Sequence, residues 1–285
     1  MEKIKMLLDI NGNYIIIGLL VIFYTMEQVL NTPFKFNNRL RHLFHNALLQ
    51  VVFVIANYFF AMLQVFSIEW FNNHHIGLLY LVQIPYWLKL LIGVALFDMT
   101  TYWFHRMAHK SPLLWRLHRV HHSDTSMDST TFFRVHPLEI LIFGTGNIVV
   151  AAIFGLDLIA LGLYFFILIP LVFAEHTNLL FPRWMDSTLG WIFVTPNLHK
   201  VHHQQNQYYT DSNFSDIFIV WDRLFGTYKY LPVDKMKYGL KEFDENKKQT
   251  FLYQMKSPFI NIKRISSDEL AGIEKKPDTA EYYGS

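Results

Sequence analysis

An all-α protein embedded in a membrane is the fold class that this sequence predicts, on three observations. Of 285 residues 52% are hydrophobic and only 17% charged, whereas soluble domains carry about a quarter charged. Apolar runs recur at about 46–66, 76–100, 138–155 and 157–175, each near the roughly 17 to 25 residues that a spanning helix needs. The 26 Phe, 15 Tyr and seven Trp suit a lipid boundary.

Taken in order, residues 14–30 predict a short spanning or interfacial helix, which would make a fifth apolar element. The stretch that contains them loosely resembles a signal peptide, but Asn11 and Asn13 interrupt it and no small-residue cleavage site follows. The first two long runs are joined by IEWFNNHH and the last two by little more than Gly155-Leu156-Asp157, so both pairs read as helical hairpins. A helical hairpin satisfies its backbone hydrogen bonds internally and can cross lipid or dip into it.

Lys35, Arg39 and Arg41 lie before the first hairpin, and Arg106, Lys110, Arg116, Arg119 and Arg134 lie between the two, while the turns at 67–75 and 155–157 hold no Lys or Arg. The positive-inside rule then puts the segments between and after the hairpins on the cytoplasmic side, of a bacterial inner membrane or of the endoplasmic reticulum. Lys89 interrupts the second run and reads as a snorkelling residue or a kink after Pro85. Residues 1–230 read as one domain, followed by a polar extension at 231–285 that is partly disordered at its end.

The net charge of +2 gives no reason to expect nucleic acid as a partner. The chain has no cysteine, which removes disulfides, thiolate metal sites, iron–sulfur clusters and catalytic thiols together. Any metal must be held by nitrogen and oxygen.

Histidine is where the chemistry concentrates. H-x-x-H-H occurs twice, as HRVHH at 118–122 and HKVHH at 199–203, although with 14 histidines chance supplies it only about 0.03 times per chain. FHRMAH adds His105 and His109. On a helix, residues three and four apart share a face, so each group is a preformed half-shell. Two half-shells closing on each other, with the His105 pair as a third wall, would hold two metal ions. Packed without metal, the eight imidazoles would each need a partner and would repel when protonated. His42, His45, His74 and His75 stand alone and read as interfacial or hydrogen-bonded residues.

Imidazole suits iron, copper, zinc and nickel, and one structural zinc uses only four ligands. Two irons, each taking four or five histidines and leaving a position open for dioxygen, account for the count best.

The three motifs, set among apolar hairpins, resemble those of the fatty acid hydroxylase/sterol desaturase superfamily of membrane di-iron oxidases. FRVHPLE at 133–139 and EHTN at 175–178 resemble its additional histidine segments, and NFSDIFIVWDRLFGT at 213–227 resembles the segment after its last histidine box. The resemblance spans roughly residues 95 to 230. It implies about four membrane helices under a cytoplasmic helical cap holding the metals, with His105, His109, His118, His121, His122, His199, His202 and His203 as ligands, His176 as a further one and His136 as another candidate. Asp124, Glu139, Glu175, Asn178, Asp211 and Asp222 lie near these motifs and are candidates for orienting the imidazoles through their second nitrogen.

The reaction that this implies is dioxygen-dependent hydroxylation, or alternatively desaturation, at a C–H bond of a sterol-like, fatty acyl or ether lipid. FRVHPLE with EHTN looks closer to the sterol and ether-lipid branches than to the carotenoid hydroxylases. There is no H-P-G-G segment of the fused cytochrome b5 kind, and GTGNIV at 144–149 lacks the third glycine of a nucleotide loop. Electrons would therefore come from a separate ferredoxin, or from cytochrome b5 with its reductase. Three other readings stay open: a zinc-dependent lipid hydrolase, although H-E-x-x-H is absent; a metal transporter or storage protein, although the histidines lie beyond the helix ends; and a degenerate scaffold.

Overall fold

The computed structural model describes residues 12–30, 32–34 and 38–273; the expected disorder of the extension's end and the start of the signal-like stretch fall outside them. No strand forms among the described residues, only an isolated antiparallel bridge between Gln204 and Tyr238.

Helix α1, Gly12–Val29, occupies the predicted 14–30 element. Helix α2, Arg39–Asn73, is much longer than the 46–66 run. Asn38 caps it through the Arg41 amide, and it runs on through the expected turn because Asn72 hands its amide protons to Ile68 O and Leu156 O. At about 1.5 Å per residue its 35 residues reach about 52 Å, beyond a hydrocarbon core of about 30 Å. One end, with His42 and Asn46, stands against Asp124 and Thr130, just after the first H-x-x-H-H.

Helix α3, Tyr86–Lys110, starts ten residues later than the apolar run because Gly77 (φ 128°) and Pro85 impose a turn first. Lys89 accordingly sits in the first turn of α3, its ammonium 5.7 Å from the Tyr80 ring centre, and not at mid-helix. Helix α4 is Pro112–His122, α5 is Ile140–Phe154, α6 is Leu158–His176 and α7 is Pro196–His202. Three helical stretches, Arg39–Tyr80, Pro137–Phe154 and Leu158–His176, are long and apolar enough to cross a membrane. Helix α3, which carries Lys89 and Asp98, packs against α5 and α6.

The hairpins meet at their tips and along their lengths. A Cβ on Gly77 would fall 2.0 Å from the Gly155 nitrogen, so the two turns touch backbone to backbone, and Tyr86 OH donates to Asp157 at 2.7 Å beside them. Further along, the GTGNIV run is helix packing: Gly144 lies against the Phe60 ring, and its carbonyl accepts from Gln64 at 3.1 Å. Ile68, Phe97, Ala151, Ala160 and Tyr164 form the shared core. At the opposite end the extension packs onto the motifs: Leu231, Met236 and Tyr238 join Met127 and Val201, and Leu240 and Phe243 join Trp115.

Candidate metal centre

Two of the three motif-bearing helices are built alike. In α4 Ser111 caps and Pro112 opens the helix; in α7 Thr195 caps and Pro196 opens it. Proline has no amide proton to lose there, and its fixed φ suits the first helical position. Each then carries H-x-x-H-H at its end, with His122 closing α4 and His203 capping α7. In projection, the first and last histidines lie about 40° apart and the middle one falls about 60° to the other side.

The structure uses that offset. His105, His109, His118, His122 and His202 bring one ring nitrogen each within 4.8 Å of one another, and His121, His176, His199 and His203 do the same beside them. Each motif therefore gives its outer pair to one group and its middle histidine to the other, and the two motifs do so reciprocally. All nine expected histidines are gathered, eight of them buried and His121 partly so.

Proton positions follow from their partners. Nδ1 donates to Phe214 O from His105 at 2.8 Å, to Ser212 O from His202 at 2.7 Å, and to Val172 O from His176 at 2.7 Å. His109 donates to Asp211 at 3.1 Å and His118 to Glu139 at 2.5 Å. These oxygens only accept, so in the neutral rings all five Nε2 atoms carry a bare lone pair. Burial among other imidazoles holds His121, His122, His199, His202 and His203 well below the usual histidine range, which keeps them neutral.

This arrangement fits cations. Nε2 of His122 lies 3.1 Å from those of both His109 and His118, and Nε2 of His176 lies 3.1 Å from those of His121 and His203 and 3.2 Å from that of His199. One lone pair cannot accept from three rings, and the Nε2 atoms of His105 and His202 are buried with no partner at all. A metal with nitrogen ligands at about 2.1 Å would set adjacent donors about 3 Å apart.

The surroundings of the two groups differ. Asp211 also pairs with Arg264 at 2.8 Å. In the second group Glu175 lies 3.5 Å from His199 Nδ1, and Asp216 joins these two in a further possible metal-holding group, with burial pushing its carboxyl well above the usual range. Asp222 acts one step away: it accepts from the Phe214 and Ser215 amides at 2.8 and 2.9 Å, fixing the loop whose Phe214 carbonyl orients His105.

Other expected residues lie elsewhere. Asp124 accepts from His42 at 2.9 Å and from Thr131 at 2.8 Å, tying α2 to the loop after α4 and orienting none of the nine histidines. Burial works to raise its carboxyl, but His42 and Arg134 beside it outweigh that and hold it well below the ordinary range. Asn178 pairs with the backbone of Phe34, and its own amide donates to Glu27 at 2.8 Å, which fastens α1. His136 joins neither group: its Nδ1 accepts from the Leu138 amide at 3.2 Å, shaping the turn at Pro137. Asp216, Asp98 and Arg264 were not singled out from sequence. Asp98, on an apolar helix, grips the Ile217 and Phe218 amides and the Trp221 indole, and an acid in such a run was the available signal.

Comparison with known proteins agrees with the geometry. Residues 90–227 match the family described as Fatty acid hydroxylase. The chain is 34% identical over 175 residues to an alkylglycerol monooxygenase of Xenopus tropicalis, covering 56% of this chain and 35% of that protein. It is 32% identical over 149 residues to methylsterol monooxygenase 2-2 of Arabidopsis thaliana, covering 52% and 53%, and 27% identical over 210 residues to very-long-chain aldehyde decarbonylase GL1-11 of Oryza sativa subsp. japonica, covering 72% and 74%. It thus spans about a third of the length of the alkylglycerol monooxygenases. No solved structure matches the chain. Nine histidines are gathered from three boxes and the end of a membrane-length helix, and the segment that holds every one of them is the segment that is similar to the fatty acid hydroxylase family.

Proposed function

We propose that the chain is a membrane-bound di-iron monooxygenase that hydroxylates a C–H bond of a lipid, with ether-linked glycerolipids as the first substrate class to test and desaturation as the lesser outcome. The observation that carries this reading is the pair of adjoining groups of five and four imidazoles, in a chain without a thiolate. Iron bound there would supply the reductive activation of dioxygen that breaks an unactivated C–H bond.

The overall reaction takes R–H, one O2, two electrons and two protons to R–OH and one water. The protein's residues act on this chemistry in three ways. Phe214 O, Ser212 O, Val172 O, Asp211 and Glu139 fix the five Nδ1 protons and so aim the opposite nitrogens. Burial keeps water away from the rings. The apolar outer faces of α2 and α5, with Phe59, Met62, Phe66 and Leu141 exposed, offer a lipid a sideways approach. Electrons would come from an external carrier, a ferredoxin or cytochrome b5, and the placement of Lys and Arg supports a cytoplasmic side for the histidines.

The test is metal content and dioxygen uptake of protein purified in mild detergent, with His121→Ala and His202→Ala alongside. About two irons per chain, and uptake that needs both reductant and an alkylglycerol and is lost in both variants, is the expected result. One tightly held zinc with no reductant-dependent uptake after iron reconstitution would overturn it and favour a hydrolase. Uptake with a methylsterol but no alkylglycerol would move the substrate class and keep the reaction.

A further inference from the structure

The extension after the matched segment reaches back to one of the two histidine groups. Arg119 of α4 donates to the carbonyls of Ser257, Ile260 and Ile262, holding the chain there against the helix that carries the first H-x-x-H-H. Two residues on, the Arg264 guanidinium pairs with Asp211 at 2.8 Å and lies 3.8 Å over the Trp115 ring. Trp115 in turn packs on His109 and His122, with ring centres 4.9 and 5.5 Å apart, while Asp211 accepts a hydrogen bond from His109 Nδ1. Arg264 thus touches both supports of His109 and no histidine of the second group. Among the described residues none of Glu139, Glu175 and Asp216, the other carboxylates beside these histidines, pairs with an arginine.

We propose that Arg264 is a positioning residue for the first group alone: it clamps Asp211 and Trp115 around His109, so that the extension governs how firmly one of two bound metals is held. This rests on the two-metal reading. An arginine suits the place because its planar guanidinium can stack on an indole and fork onto a carboxylate at once, which a lysine cannot do. Residues outside the coordinating set that support a ligand typically change metal affinity about 10–100-fold.

The full-length protein in detergent, loaded with cobalt(II), is mixed with excess chelator, and release of each equivalent is followed by the cobalt absorption bands. Arg264→Gln is expected to speed the loss of one equivalent at least about 10-fold and leave the other at its wild-type rate. Arg264→Lys restores part of the difference, and Asp211→Asn added to Arg264→Gln gives little further change because the two act as one unit. Equal acceleration of both equivalents would mean that the extension only supports the fold, and unchanged release would mean that Arg264 is a surface contact; either overturns the inference. A wild type that takes up a single equivalent would overturn the two-metal reading itself, before any variant is compared.

Discussion

The two histidine groups use the same motif yet are built on different ground. The first draws four of its five members from α3 and α4, and its imidazoles lean on Asp211 and Glu139. The second draws from α4, α6 and α7, and its His176 ends a membrane-length helix and leans on that helix's own Val172 carbonyl. Carboxylates thus hold two rings of the first group, beside the backbone carbonyls that hold His105 and His202, whereas His176 of the second is held by the backbone of its own membrane-length helix. Similar ligand sets can therefore answer differently to pH, to chelators and to changes in the chain around them.

Removing a histidine should break the comparison most severely. His202→Ala takes from the first group its only member on α7, and His121→Ala takes one of four from the second. Each is expected to lower lipid-dependent dioxygen uptake by more than about 100-fold, beyond what loss of a supporting residue does, while metal analysis shows which equivalent has gone. A smaller effect separates the supports. Glu139→Gln, which loses a 2.5 Å bond to His118, should cost about 10–100-fold in metal affinity. Glu175→Gln, at 3.5 Å from His199, should cost less, and a reversal of that order would show that the second group depends on charge after all.

Acid sharpens the picture further. The folded pKa of His121, His122, His199, His202 and His203 lies well below the unfolded value, so in metal-free protein only the unfolded chain gains these protons as pH falls through about 6.5. Stability should therefore decline over the window from about pH 7 down to the folded pKa values, by up to about 1.4 kcal/mol per pH unit for each histidine that titrates. Thermal melts of stripped and metal-loaded protein should diverge in that window, since metal occupies the nitrogens that would take up protons. The smallest expected change is at His136, outside both groups: His136→Gln should leave both metal equivalents in place and alter uptake less than about twofold. A lost equivalent there would redraw the site.

Much of this was legible in the sequence because it was periodic. The nine histidines stood at helical spacing or in recognisable segments, and the hairpins stood as apolar runs. Their division into five and four was not legible, since the offset of the middle histidine acquires meaning only once α4 and α7 are docked. The reach of α2 through Asn72 and Asn73 was hidden because those residues read as a turn until Leu156 O is seen to accept from Asn72. Arg264 sat in a polar extension where nothing in its neighbourhood marked it, and its partner Asp211 lies 53 residues away. Asp98 and Asp216 were visible as acids in apolar company but belonged to no repeating pattern.

The reciprocal exchange of middle histidines between the two motifs also governs how such a protein can be made. When synthesis has passed His122, four members of the first group exist, but the fifth, His202, lies 80 residues further on, and so do both outer histidines of the second motif within a few positions of it. Neither group can be completed until α7 arrives, and its arrival completes both. The chain must therefore thread its second hairpin before either group is whole, and the two groups are then completed in the same few residues of synthesis.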